Sequence, residues 1–373
     1  MVGATHGGGF LTYNYNILKG IVLENDNNEY FVFINKGLFD SFFSDIKNIH
    51  LIAIPEIFSK MIPRLIWMQT ILPIYLIINK IDVVLSPMNI MPIIIKLFNI
   101  KNVLVIHSNL PWLYPNDVPG NKIKLLLQKL FTNISIMIAD KIIVDSKTAK
   151  KELTEIFPKI GWKTNCIYLG VDQDRFINNN NDTSLVLWNQ IDIKKEPYFL
   201  TISSAVQYHC LKELIIAYEK LSSERKNIPK YLLISKNLDS KYFKEINTLV
   251  SASHYSKNIL LIENINYDLI PSIYRNSELY IFSSNCEVFG FTNLEAMSAG
   301  IPVLTSNKSA IPEICGNAAM YFNPNDPTDI KNKIISIYYN DDFRQDMIEK
   351  GYNRVKKFTW ENTINRTRKI ILE

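Results

Sequence analysis

The sequence is short of the features that most quickly assign a chain to a class. It holds 4 cysteines in 373 residues (Cys166, Cys210, Cys286 and Cys315), and no two of them form a CxxC pair. A disulfide framework or a structural zinc site is therefore not expected, and a reducing compartment is the simplest reading. Neither sign of charge dominates, since 41 basic against 36 acidic residues leave a net charge of +5. That excess suits a phosphorylated ligand or an anionic surface. No basic stripe interleaved with aromatics accompanies it, so nucleic acid is not an expected partner. The opening residues, MVGATHGGGF, carry neither a basic segment nor an apolar one. No secretion signal is expected from them, and a cytoplasmic location follows. Long apolar runs are missing too. The most apolar stretch, residues 65–78, is interrupted by Gln69, Thr70 and Pro73 and is too short to span a bilayer. A buried helix is the plain reading; a helix resting on a membrane surface, flanked by Arg64, Trp67, Tyr75 and Lys80, is the alternative.

What is present is alternation. Short apolar runs (YFVFI at 30–34, VLVI at 103–106, KIIV at 141–144, YFLTI at 198–202, YLLI at 231–234, LYIF at 279–282) are separated by longer helix-like segments. Runs that are apolar throughout, not at every second residue, imply strands covered on both faces, as in a parallel sheet flanked by helices. The expected fold class is α/β and doubly wound. At 373 residues the chain is long enough for two domains. The run NNNND at 178–182 cannot contribute to a core and marks the boundary. The division expected is 1–175, 176–357 and a terminal helix within 358–373. The Gly-rich turn at Gly7, Gly8 and Gly9 arrives almost at once, which leaves only Met1 to Ala4 to make a poor first strand.

Residues 279–305, LYIFSSNCEVFGFTNLEAMSAGIPVLT, carry the chemistry. An apolar run ends at Phe282, a polar turn follows, residues 292–299 have helix composition, and Gly300 and Pro302 stop the helix before another apolar run. Ligands of parallel sheets bind where such loops meet helix starts. Gly290 lets backbone approach closely, and the free amides of Phe291, Thr292 and Asn293 would face a phosphate. Glu287 in the loop and Glu295 eight residues on provide two carboxylates for sugar hydroxyls.

This segment resembles the E-x7-E motif of the family 4 retaining glycosyltransferases, which have the GT-B fold, with Glu287 and Glu295 in the two Glu positions. More weakly, the likeness extends to His6 through Gly20, to Ala139 through Asp172, and to the FTWE at 358–361. The resemblance implies two Rossmann-like domains facing across a cleft, with an N-terminal acceptor domain, a C-terminal donor domain and a final helix crossing back. It implies that Glu295 holds the donor ribose. Glu287, with Gly290, Phe291, Thr292 and Asn293, would hold the sugar and diphosphate, with Gly8 and Gly9 on the other side of the donor. His107, which follows the run VLVI, would position the sugar, although Ser108 stands where many members have Asp.

The chain departs from the family where an Arg or Lys pair usually neutralises the diphosphate. His209 occupies the Lys position and no Arg stands in 203–208. His209 protonated beside phosphate, or Lys236 after the run YLLI, is the candidate replacement, with Lys212 a helical turn further on. The function implied is retaining transfer of a hexose from a nucleoside-diphosphate sugar to an acceptor hydroxyl, in surface glycan or polysaccharide assembly. The alternative is a degenerate sugar-nucleotide-binding subunit without transfer activity. No DxD-like pair closes a strand, so neither metal nor cofactor is expected. The expected partners are the donor, a saccharide or lipid-linked saccharide acceptor, and a membrane surface on which the protein would be peripheral.

Overall fold

The computed structural model describes residues 9–23, 28–35, 49–177, 186–187, 191–192 and 196–373. The chain divides into two compact units. One comprises Met1–Asn109, Gly120–Gly170 and Trp360–Glu373, and the other Leu110–Pro119 and Val171–Thr359. The turn residues Gly7 and Gly8, the segment Met1 to Ala4 and the NNNND run lie outside the described residues.

In the first unit β1 (Tyr30–Asn35) pairs in parallel with β2 (Ile49–Ile54). Strands β3 (Val83–Ser86), β4 (Lys101–Ile106), β5 (Lys141–Val144) and β6 (Thr164–Cys166) form a second parallel sheet in that order. The side chains of Val103, Leu104, Val105 and Ile106 are wholly buried, which is why that run is apolar without alternation. Residues 30–33 of β1 and 82–86 at β3 border one apolar cavity of about 530 Å3. Side chains alternate between faces along a strand, so consecutive lining residues mean that strand edges face this cavity. Among the described residues no further strand pairs with either edge.

The apolar stretch is not one buried helix. It forms two, Met61–Gln69 and Ile71–Ile78, which break at Thr70. Leu65, Trp67, Met68, Leu72 and Leu76 enter the core of the unit, while Ile62, Ile66, Ile71, Ile74 and Ile78 are exposed. Together the two helices make an 18-residue run, Met61–Ile78, with the length and apolar composition of a bilayer span and a third of it buried. The buried-helix reading thus holds for one face only. The final helix, Trp360–Leu372, packs on helix Gly9–Leu23, where Gly20 lies so close to Ile364 that a methyl group would collide with it. Its last carbonyls, of Ile370 and Ile371, accept from Lys101 Nζ at 3.0 and 3.1 Å, a favourable cation at a helix C-terminus.

The second unit is built on six parallel strands: β9 (Tyr198–Ala205), β10 (Lys230–Asn237), β11 (Ile259–Ile262), β12 (Leu279–Phe282), β13 (Val303–Ser306) and β14 (Met320–Phe322). Before them β7 (Val186–Leu187) and β8 (Ile191–Asp192) make a short antiparallel pair. The sheet order is β11-β10-β9-β12-β13-β14. The chain therefore winds outward from β9 to β11, then returns to lay β12 on the other side of β9. At such a reversal the loops beyond two neighbouring strands lead their helices to opposite faces and open a crevice. Helix Leu211–Glu224 closes one face with Leu211, Leu214, Ile215, Tyr218 and Leu221 buried, the three-and-four spacing of an amphipathic stripe.

Candidate functional site

The loops after β9 and β12 carry the candidate residues. After β12, Gly290 takes φ 85°, ψ 58° and opens helix Phe291–Ser298 without a side-chain cap. A Cβ there would add left-handed strain and stand 3.1 Å from Asn293 Nδ2. Glycine is thus favoured at the entry to this helix, and the Asn293 backbone amide, expected to face a phosphate, instead donates to the Gly290 carbonyl at 3.2 Å because the chain folds back into a tight first turn. Asn293 is fully buried, and neither atom of its side-chain amide has a partner among the described residues. A buried amide left without partners costs about 1–3 kcal/mol, so the arrangement is tolerable where a ligand supplies the bonds. Gly300, at φ 74°, ends the helix in the manner its position implied.

His209 follows β9 and is turned by Cys210, which adopts φ 49°, ψ 42° immediately before helix Leu211–Glu224. His209 Nδ1 lies 2.8 Å from both Ser203 Oγ and the Ser204 carbonyl. A carbonyl only accepts, so Nδ1 carries a hydrogen. Nε2 lies 3.2 Å from Glu287 Oε1, and a hydrogen bond across that contact needs a further proton on one of the two atoms. The pair is therefore an imidazolium–carboxylate or an imidazole–carboxylic acid, with side chains 9% and 21% exposed. Glu287 is also fixed through its backbone carbonyl, which accepts from Ala310 N at 3.1 Å and Ser309 Oγ at 2.8 Å.

Glu295 stands in helix Phe291–Ser298 above Tyr274, whose hydroxyl donates to Oε2 at 3.2 Å. Burial pushes the Glu295 carboxyl up to about 7, against the Tyr274 hydrogen bond and the attraction of Arg175, which both lower it. Arg175 stacks over the Tyr267 ring at 3.8 Å and donates to the Tyr267 carbonyl at 3.0 Å. Nothing in the local segments of Tyr274 and Arg175 points to a residue 21 and 120 positions away, so the sequence does not announce them.

Of the other two candidate lysines, Lys236 is the penultimate residue of β10, in register with Ser204. It is exposed and has no ion pair among the described residues. Lys212 is bound to Glu245 and lies over the Tyr242 ring, so it is already occupied. The structure brings together His209, Glu287, Gly290 and Asn293 and puts Lys236 at the same end of the sheet.

His107 belongs to the first unit, at the carboxyl end of β4. Its backbone amide donates to Asn89 Oδ1 at 2.9 Å, its Nδ1 lies 2.8 Å from Asp145 Oδ2, and its ring packs edge-on to Tyr13 at 4.5 Å. Asp145, buried and 38 residues away, is a partner that no local pattern announced. It fixes Nδ1 as the protonated nitrogen and leaves Nε2, which is buried and unbonded among the described residues, for a ligand. Gly9 starts helix Gly9–Leu23; Gly8 lies outside the described residues.

The chain is similar in sequence and fold to known proteins. Residues 188–354 match the family of glycosyl transferases group 1. An uncharacterized glycosyltransferase of Methanocaldococcus jannaschii is 25% identical over 277 residues, 74% of this chain and 69% of that protein. O-antigen chain mannosyltransferase B of Escherichia coli is 35% identical over 98 residues, a stretch that spans 26% of this chain and 26% of that enzyme. Among solved structures, Anabaena HepE in complex with UDP and glucose superposes with a TM-score of 0.74 at 15% identity, covering 98% of this chain and 96% of that one. At that identity the likeness is one of fold, and the fold is GT-B.

Proposed function

We propose that this chain, whose residues 188–354 match the family of glycosyl transferases group 1, is a retaining hexosyltransferase. It would take its sugar from a nucleoside diphosphate and pass it to an acceptor hydroxyl in surface glycan or polysaccharide assembly. The observation that carries this reading is the placement of the Glu287–His209 pair and the left-handed Gly290 in the loops beyond adjacent strands β9 and β12. Glu295 would accept from the donor ribose. The positive end of helix Phe291–Ser298, the Asn293 side chain and Lys236 would hold diphosphate and sugar, and His209 would offset the charge that develops on the leaving phosphate. His107 would position the sugar through Nε2. Retention would follow from attack on the face the diphosphate leaves, assisted by that phosphate and without a metal.

The first test is a donor screen by thermal shift and slow hydrolysis, with EDTA present. GDP-mannose and UDP-glucose lead it, since one relative is a mannosyltransferase and one fold neighbour holds UDP and glucose. A donor at 100 times its Kd adds about 2.7 kcal/mol of apparent stability. Stabilisation with EDTA-insensitive turnover supports the reading, and binding without turnover on any acceptor supports the non-catalytic subunit instead. No response to any donor sinks both.

Membrane contact belongs to the same proposal. Ile66 and Ile74 are each 58% exposed on the paired helices Met61–Gln69 and Ile71–Ile78, the apolar face expected of a peripheral protein on a cytoplasmic membrane surface. The wild type is expected to float with anionic liposomes, and the Ile66→Glu, Ile74→Glu double variant to remain at the bottom of the gradient with an unchanged Tm. Wild-type protein that ignores the liposomes would remove the membrane from the proposal.

A further inference from the structure

A second cavity, of about 120 Å3, lies in the first unit and is bordered by Arg64, His107, Gln128, Asn89 and Phe10. Arg64 is the one permanently charged side chain among its described lining residues. The Arg64 guanidinium makes no ion pair or side-chain hydrogen bond among the described residues, and burial, with no neighbouring acid to offset it, pushes it below its ordinary range. Gln128 and Asn89 supply amide groups to the same lining, and His107, with Nδ1 taken by Asp145, contributes only an acceptor at Nε2. Phe10 lies in the first turn of the 15-residue helix Gly9–Leu23, so a positive helix end also borders the cavity. No aspartate or glutamate among the described residues lines it. A guanidinium drawn out of water without an anion is costly, and the missing anion is what a ligand would supply.

The size narrows the ligand. Sites for whole drug-sized ligands run to roughly 300–1,000 Å3, so 120 Å3 admits one oxyanion with its immediate neighbours and not a nucleotide. We propose that this cavity is a subsite for an oxyanion, a phosphate or carboxylate carried by the acceptor, with Arg64 as its anchor and the Gln128 amide as a hydrogen-bond donor. The proposal rests on the transferase reading only in calling the ligand an acceptor. Guanidinium is suited to the role because its planar fork matches two oxygens at once.

The test uses the full chain without donor. Inorganic phosphate, glucuronate and neutral glucose are titrated by calorimetry into wild type, Arg64→Lys, Arg64→Met and Gln128→Glu. Saturable binding of phosphate or glucuronate is expected, weakened at least tenfold in Arg64→Met and less in Arg64→Lys, which keeps the charge but not the fork. Gln128→Glu places an acid in the cavity and is expected to abolish oxyanion binding even if Arg64→Met fails to fold. Which of the two anions binds names the source. Equal binding by wild type and both cavity variants, an adventitious ion only, overturns the proposal. Displacement of the anion by UDP overturns it too, because the subsite would then serve the donor. Transfer that fails on every acceptor would sink the transferase reading and leave these binding results standing.

Discussion

Replacing Glu295 with glutamine is expected to stabilise the unliganded protein at alkaline pH and, in the same variant, to abolish its response to the donor. The carboxyl titrates near 7 in the folded chain because burial penalises its charged form, against 4.5 for an ordinary glutamate. Between those values the folded state holds a proton that the unfolded state has released, so stability falls as pH rises from about 4.5 to 7 and is level above. At 1.36 kcal/mol per unit the cost at pH 8.5 is at most about 3 kcal/mol, and less in so far as water reaches the group. Glutamine keeps an oxygen to accept from Tyr274 and cannot ionise. Urea unfolding at pH 5 should therefore find wild type and variant alike, and at pH 8.5 should find the variant more stable. The donor acts in the opposite sense, because ribose hydroxyls donate to the carboxylate and favour it. Wild-type donor affinity is thus expected to weaken by up to tenfold per unit as pH falls below 7, whereas the variant's weak binding should not change. A variant that is less stable at pH 8.5, or that keeps full donor affinity, would show that Glu295 does not have this role.

The site is unevenly legible in the sequence. The segment from β12 to β13 was legible because each level of its pattern agrees. LYIF is apolar throughout and emerges as a strand buried on both faces, Gly290 and Gly300 both adopt positive φ, and the helix between them is the one the composition implies. Elsewhere the signals are absent or cross long distances. Strand β2 reads IHLIAI with a mixed burial pattern, too irregular to separate from loop. The break at Thr70 leaves no glycine to mark it, and the exposed isoleucines beyond it imitate a core. Cys210 takes a left-handed conformation without being glycine or asparagine, and that turn swings His209 toward Glu287, 78 residues away. Asp145 behind His107 and Tyr274 beneath Glu295 are likewise tertiary neighbours, placed by sheet order and not by spacing along the chain.

His209 and Glu287 are expected to behave as one catalytic unit. Each alanine replacement should lower kcat/KM by about 100- to 1,000-fold, the usual cost of removing a group aimed at developing charge. The double variant should fall less than tenfold below the weaker single one, since either replacement breaks the same 3.2 Å contact. The reason lies in the protons. Nδ1 is committed to the Ser204 carbonyl, so the contact to Glu287 holds only with the extra proton in place. Removing Glu287 takes away the anion that favours an imidazolium, and removing His209 leaves a half-buried carboxylate facing the donor phosphates, a repulsion costing as much as the lost contact. His209→Lys separates charge from ring. Lysine carries its charge throughout the neutral range, so this variant is expected to keep substantial activity where His209→Ala does not. Losses that simply multiply in the double variant would separate the two residues. A His209→Lys variant no more active than His209→Ala would mean that the positive charge at the leaving group comes from elsewhere, with Lys236 near the end of β10 the next cation to replace.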